Sequence, residues 1–298
     1  MSRQVQGYVY LALAMLTVGS TVIASKLIAS GLPPFSATAL RFAIAFPVLL
    51  LLMWATGARL PRFSRHDRLI LIIQAGAGSV GYTTLLISGL SLTSAADAGV
   101  IIGTLPVVSA AISILLLRER PQRALLLAVA LATAGVLSIA FTPDAAGGSL
   151  SGNALIFLAV VCEGLFILLN KRLKTEIAPL AQSTLMAGIG FIVAAIPAVF
   201  EAPFADGISA SAVAAVVYYA LVPTVGGFLL WYAGAERVSG TEAALFTALA
   251  PVSAVMLAFI ILGEPVGLSQ IAGIGCVLAA VLGLAFAGSR TVKLAGGR

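Results

Sequence analysis

Charge is what this 298-residue sequence has least of. Asp, Glu, Lys and Arg make up 9% of it, against 60% hydrophobic residues and a mean hydropathy of +1.11. Soluble domains carry about 25% charged residues. A fold surrounded by water could not cover its surface with so few, so the solvent of this chain is largely lipid. Cysteine is scarce too. Cys162 and Cys276 both lie in apolar runs, which excludes a disulfide framework or a thiolate metal set; small buried hydrophobes are the expected role. The single histidine, His66, stands in a basic loop and is expected to be solvated. Without a His/Cys cluster or a nucleophile with its base at a membrane face, the residues offer no metal site, no cofactor and no enzyme chemistry.

What is present is long uncharged sequence. No charge occurs in 69–96, 98–117, 124–143, 177–200, 207–235, 243–263 or 265–289. A spanning helix needs about 20 apolar residues. Ten spans are expected, near 7–29, 35–57, 68–88, 92–117, 122–141, 152–172, 180–200, 210–233, 238–262 and 268–287. Transmembrane strands would instead alternate in segments of about ten residues, which these runs do not. The fold class is therefore all-α integral membrane, with the lipid bilayer as obligate partner. The start of the chain has the outline of a secretory signal, but its apolar stretch exceeds a signal core of about 7–15 residues and is expected to be kept.

The net charge of +6 could point to nucleic acid, but its distribution points elsewhere. With the N-terminus inside, 15 of the 17 basic residues gather on the cytoplasmic side, and only Lys26 and Arg41 fall toward the other. That asymmetry is the positive-inside rule. It predicts cytoplasmic N- and C-termini and leaves no role for nucleic acid.

Two stretches, TLPVVSAAISILLLRERP and LAPVSAVMLAFIILGEP, share one pattern: Pro106 and Glu119 in the first, Pro251 and Glu264 in the second. They lie 145 residues apart. At that offset Gly89–Phe141 overlies Gly234–Phe286 without a gap, with 12 of 53 positions identical. The same offset pairs Gly7 with Gly152, Gly19 with Gly164, Lys26 with Lys171 and Pro34 with Pro179. Residues 1–144 and 145–298 are thus expected to be two five-helix repeats. An odd number of spans inverts the second copy, the architecture of many secondary transporters, with substrate at the midplane between the copies. Glu119 sits among Arg118, Arg120 and Arg123, whereas Glu264 has no basic neighbour. Each is expected to cap or position the following span.

The residues also resemble a known family. ASKLIASGLPPFSATALRFAIA, then GLSLTSAADAGVIIGTLPVV with LLLRERP, and in the second copy GAERVSGTEAALFTALAPVS with ILGEP, are similar to the drug/metabolite transporter superfamily in its EamA branch. The resemblance covers nearly the whole chain and is closest to YddG-type amino-acid exporters. It implies ten helices in two inverted repeats and export of small metabolites, often amino acids, across the bacterial inner membrane. Val18 stands where many members carry an aromatic residue, which removes one substrate contact from the carry-over.

Two nucleotide patterns fail on context. GAGSVG at Gly76–Gly81, with Asp97 about twenty residues on, continues into a membrane span and lacks the soluble parallel sheet that fingerprint needs. GSTVIASK at Gly19–Lys26 has Ala24 where a phosphate-binding loop needs its second glycine. Energy must then come from a gradient or from the substrate.

Gly/Pro interruptions at matching positions of two halves point to a transporter site. Here they are GAGSVGY in span three and LVPTVGG in span eight. Positions i, i+4 and i+8 share a helix face. The candidate cavity residues are therefore Gln74, Gly78 and Tyr82 on one side and Tyr219, Pro223 and Gly227 on the other. Close helix packing is the alternative use of such small residues. Pro106 and Pro251 are candidate kinks or gates. Glu163 lies near mid-membrane with Asn170 on the same face; ionisable groups there are expensive and face a cavity or a partner. It is read as a contact for a substrate amine or a proton-coupling carboxylate, or else as a structural group that is protonated or paired. Lys26 and Arg41 are read as snorkelling residues or as an outer anion contact, and Trp231 and Tyr232 as an interfacial belt.

The expected function is a secondary transporter that exports small metabolites, aromatic or neutral amino acids first, by alternating access. A multidrug or nucleotide-sugar-type carrier and a lipid-handling membrane protein are the alternatives. A monomer suffices for this mechanism.

Overall fold

Lipid offers the backbone no hydrogen-bond partner, so uncharged runs of this length fold into helices. The computed structural model describes residues 3–105, 107–109, 111–112, 123–140, 149–170, 172–201, 209–238, 246 and 249–295, and no strand occurs among them. The helices are α1 (Arg3–Ala29), α2 (Pro34–Ala55), α3 (Arg65–Gln74), α4 (Tyr82–Leu90), α5 (Ala95–Ile102), α6 (Arg123–Ala140), α7 (Leu150–Asn170), α8 (Pro179–Ala198), α9 (Ala210–Tyr219), α10 (Gly227–Ala235), α11 (Leu249–Leu262) and α12 (Leu268–Ala295). A π-helical segment, Ala75–Gly81, joins α3 to α4, and a second, Ala220–Gly226, joins α9 to α10. The two segments correspond end to end at the offset of the sequence repeat.

The boundaries follow the residues. Pro34 opens α2 and Pro179 opens α8, where a missing N–H costs nothing. Ser64 and Ser94 accept from the Asp67 and Asp97 N–H groups and so cap α3 and α5. Gly57 and Gly263 turn the chain after α2 and α11 with φ of 68° and 66°. That is the left-handed conformation in which many helices end.

Among the described residues, six stretches are long and apolar enough to cross a membrane: Arg3–Ala29, Pro34–Ala55, Arg65–Leu90, Leu150–Asn170, Pro179–Ala198 and Ala210–Trp231. They coincide with six of the expected spans. The span expected at 92–117 is interrupted by a turn at Gly103–Thr104; Pro106 and Glu119 lie outside the described residues. Of the span expected at 238–262, the described helix is Leu249–Leu262, and Pro251 falls in its first turn.

Glycines bring the two halves together. A Cβ on Gly7 of α1 would lie 3.3 Å from the Gly234 carbonyl oxygen in α10, and one on Gly89 of α4 would lie 3.0 Å from the Gly152 carbonyl oxygen in α7. Gly19 packs against Ala250 and Ala254 of α11, with 2.8 Å from a would-be Cβ to the Ala250 carbonyl oxygen; Gly164 packs against Ser109. Each contact recurs with the halves exchanged, the reciprocity of a two-fold relation. Elsewhere α2 packs on α8, where a Cβ on Gly190 or Gly188 would lie 2.9 Å from the ring of Phe42 or Phe46, and α6 packs on α12.

Charged side chains bind helix ends across this interface. The Glu264 carboxylate accepts from the Ala95 and Ala96 N–H groups at 3.1 and 3.0 Å. It therefore caps α5 of the first half rather than the helix that comes after it. Glu201 likewise accepts from Phe35 and Ser36 N–H at 3.0 and 2.6 Å at the start of α2. An anion at a helix N-terminus meets the positive end of the dipole.

Gly19→Val should therefore lower the unfolding free energy in detergent by about 1–3 kcal/mol through overpacking, whereas Gly275→Ala, with open space around its Cβ, should leave thermal unfolding unchanged or slightly raised. Glu264→Gln should cost about 1 kcal/mol through loss of a charged cap, read by the same unfolding measurement.

Candidate functional site

Both π segments come within reach of one arginine, and the tyrosines and the acid of the interior gather beside it. A π turn leaves the ordinary i to i+4 ladder and is frequent at functional sites. Here each segment has a threonine beside it or within it. The Thr83 hydroxyl donates to the Ser79 carbonyl at 2.9 Å, and the Thr224 hydroxyl donates to the Tyr219 carbonyl, five residues back, at 2.8 Å.

Arg41 of α2 lies between these hydroxyls. Its Nε donates to Thr224 Oγ1 at 2.9 Å and its Nη1 to Thr83 Oγ1 at 2.7 Å. The guanidinium carbon is 4.7 Å from the Phe42 ring centroid and 4.1 Å from that of Tyr219, within cation–π range. Arg41 thus points inward and does not snorkel. It is the eighth residue of α2, about 10 Å below the helix start at 1.5 Å per residue, too deep for a side chain that ends in the headgroups. Lys26 is also held in the protein: its ammonium donates to the Leu90 and Thr93 carbonyls at 2.8 and 2.6 Å, closing the C-terminal end of α4.

Glu163 of α7 faces the same space. Its side chain lies within electrostatic reach of Arg41, as do Tyr82 and Tyr219. Yet among the described residues Glu163 makes no hydrogen bond, and no ion pair joins it to Arg41. It is partly accessible, not sealed. The site is thus a guanidinium fixed by the first half and by Thr224 of the second, a separate acid on the second half, and two tyrosines.

Of the residues expected to line a cavity, Tyr82 and Glu163 are partly exposed near Arg41, while Tyr219 is buried beneath the guanidinium. Gln74 does not. It is fully buried, its Nε2 donates to the Phe166 carbonyl at 3.2 Å and to Asn170 Oδ1 at 3.4 Å, and Gln182 reaches the same Asn170 oxygen. The space at Gly78 is filled by the Phe166 side chain, and Gly227 lies against the Thr17 hydroxyl, 2.8 Å from a would-be Cβ. Pro223 is buried within the second π segment. Pro251 packs on Gly103, 2.9 Å from a would-be Cβ there. Stepping along one helix face misses Thr83 and Thr224; their signal is position, next to or inside the Gly/Pro interruptions.

A bundle of apolar helices with a polar, charged interior defines a multi-pass membrane protein. The chain belongs to the EamA-like transporter family, within the drug/metabolite transporter superfamily: the family matches it twice, over residues 5–141 and 150–286. The two matches are themselves offset by the interval of the sequence repeat. A Bacillus subtilis (strain 168) protein described as the uncharacterized transporter YetK is 36% identical over 285 residues, 94% of this chain and 86% of that one. A protein of Streptantibioticus cattleyicolor described as a "Probable terminal-alkyne amino-acid exporter" is 28% identical over 255 residues, 84% of each chain. A solved crystal structure superimposes with a TM-score of 0.62 over 95% of this chain and 97% of its own, at 22% identity, a likeness of fold. The family and these relatives indicate a transporter rather than an enzyme.

The interior placement of Glu163 can be read chemically. In a background with Cys162 and Cys276 replaced by alanine, Glu163→Cys should react with a small charged thiol reagent. Val22→Cys, at a position 1% exposed, should stay unmodified under the same conditions.

Proposed function

We propose that the chain is a secondary transporter exporting small zwitterionic metabolites, amino acids first, from the bacterial cytoplasm. It works by alternating access between inverted five-helix repeats, 1–144 and 145–298, with ten membrane helices and both termini cytoplasmic. The observation that carries the substrate class is the separated pair Arg41 and Glu163. A free amino acid presents a carboxylate and an ammonium on one carbon. Arg41 retains guanidinium donors for the first, and Glu163 is an acceptor without a hydrogen-bond partner among the described residues for the second. Phe42 and Tyr219 are buried against Arg41, whereas the partly exposed ring of Tyr82 suits an apolar or aromatic side chain. The exporter name of the Streptantibioticus relative, given to a chain that aligns over most of this one, supports the same class. An organic-cation drug would suit Glu163 and the tyrosines but would meet Arg41 as a like charge, so the multidrug reading is second.

Alternating access is supported by the reciprocal glycine contacts and by the two π segments, which occupy corresponding places in the halves. Exchange of the two arrangements would open the midplane site to either side.

Purified protein in liposomes should take up labelled neutral amino acids, measured with and without a pH gradient. Glu163→Gln and Arg41→Met should each lower the initial rate about tenfold or more, the scale of a lost hydrogen bond to a charged group, while the variants keep wild-type elution and unfolding. No uptake across a panel of amino acids would move the assignment to a drug or nucleotide-sugar carrier.

A further inference from the structure

Arg41 is the basic residue of the interior cluster, and the chain holds it with neutral acceptors drawn from both halves. Thr83 belongs to the first repeat and Thr224 to the second, and each hydroxyl does two things at once. It accepts from the guanidinium and donates to a carbonyl at its own π segment, Ser79 for Thr83 and Tyr219 for Thr224. A guanidinium has five N–H donors in one plane. Nε–H and one Nη1–H are taken by the threonines, leaving both Nη2 donors and the second Nη1 donor without a protein acceptor among the described residues. The rings of Phe42 and Tyr219 lie against the guanidinium and limit its tilt. At the offset of the repeat Arg41 corresponds to Met186, Thr83 to Phe228 and Thr224 to Ser79, so the second half carries no equivalent set.

We infer that Thr83 and Thr224 are positioning residues: they clamp Arg41 between the two π segments with its free edge turned to the substrate carboxylate, and so set selectivity for a carboxylate over its uncharged counterpart. The inference rests on the amino-acid reading above. It adds that recognition of the carboxylate is assembled jointly by the two repeats, because neither threonine alone fixes the guanidinium plane.

The probes are labelled L-phenylalanine and L-phenylalaninamide, which differ only in the carboxyl group, in the liposome assay. Wild type should show a KM about tenfold or more lower for the acid, as expected for a charged hydrogen-bonded contact. Thr83→Val and Thr224→Val keep the side-chain shape and remove the hydroxyl. Each should raise the KM for the acid several-fold, leave that for the amide within twofold, and bring the ratio toward one. Thr→Ser at either position should restore it, because the hydroxyl returns. Where a valine variant does not fold, the alanine variant of the same position is read instead. An unchanged ratio in both valine variants, or equal movement of both KM values, overturns the clamp while leaving amino-acid export standing. Failure of wild type to carry either probe or any other amino acid removes the substrate reading itself, and the clamp with it.

Discussion

Close approach of helix backbones at duplicated glycines is the constraint on which this structure depends. Between helices in lipid there is no hydrophobic driving force, so association comes from van der Waals contact and interhelical hydrogen bonds, and small residues let the backbones draw near. Gly7 against Gly234 and Gly89 against Gly152 are one contact made twice. A side chain at any of the four would push apart a helix of one half from a helix of the other. Because the contacts are reciprocal, the geometry that seats α1 on α10 also seats α7 on α4. That fixes the height of both π segments relative to each other, and hence where Tyr82, Thr83, Tyr219 and Thr224 stand. Glu201 and Glu264, binding the first turns of α2 and α5, add charged caps to the same interface.

The scaffold is two-fold, but the chemistry inside it is not. Arg41 corresponds to Met186, Glu163 to Val18, and Tyr82 to Gly227. The arginine stands in the first half and the acid in the second. Charges in a membrane interior are costly, and the structure offsets that cost unequally. Two hydroxyls and two rings attend Arg41, whereas Glu163 has no hydrogen-bond partner among the described residues and stands in a partly accessible space.

The all-helical membrane class and the duplication were legible in the sequence, because lipid enforces helices and a gapless offset exposes the repeat that the family match also finds. The Gly/Pro interruptions also marked both π segments. The face around them was harder to read. Stepping by four residues placed Gln74, Gly78 and Tyr82 together, but the π turn between them has a longer repeat and rotates the residues beyond it. Gln74 and Gly78 therefore meet α7, through Asn170 and Phe166, while Tyr82 turns to the interior. Arg41 was hidden for a different reason. α2 is apolar on every side, so no periodicity says which face meets the interior, and a lone arginine in such a run reads as an anchor. The role of Glu264 was half visible: a carboxylate after a helix suggests a cap, but the helix it caps lies 169 residues earlier in the chain.

Under the proposed function, there is a reason for threonine, not a carboxylate, to hold Arg41. A carboxylate in contact would have neutralised the guanidinium and completed a buried ion pair, whose members satisfy each other and need no third party. Hydroxyls fix the direction of the donors and leave the charge in place. The same logic separates Glu163 from Arg41. In a medium of low dielectric a guanidinium and a separate acid are each poorly compensated, and the ligand that best serves both carries complementary groups at a short fixed spacing. An amino acid does so; a simple anion or cation relieves only one of the two. The selectivity of the site would then lie less in any one contact than in the gap the protein keeps open between two groups that would otherwise close on each other.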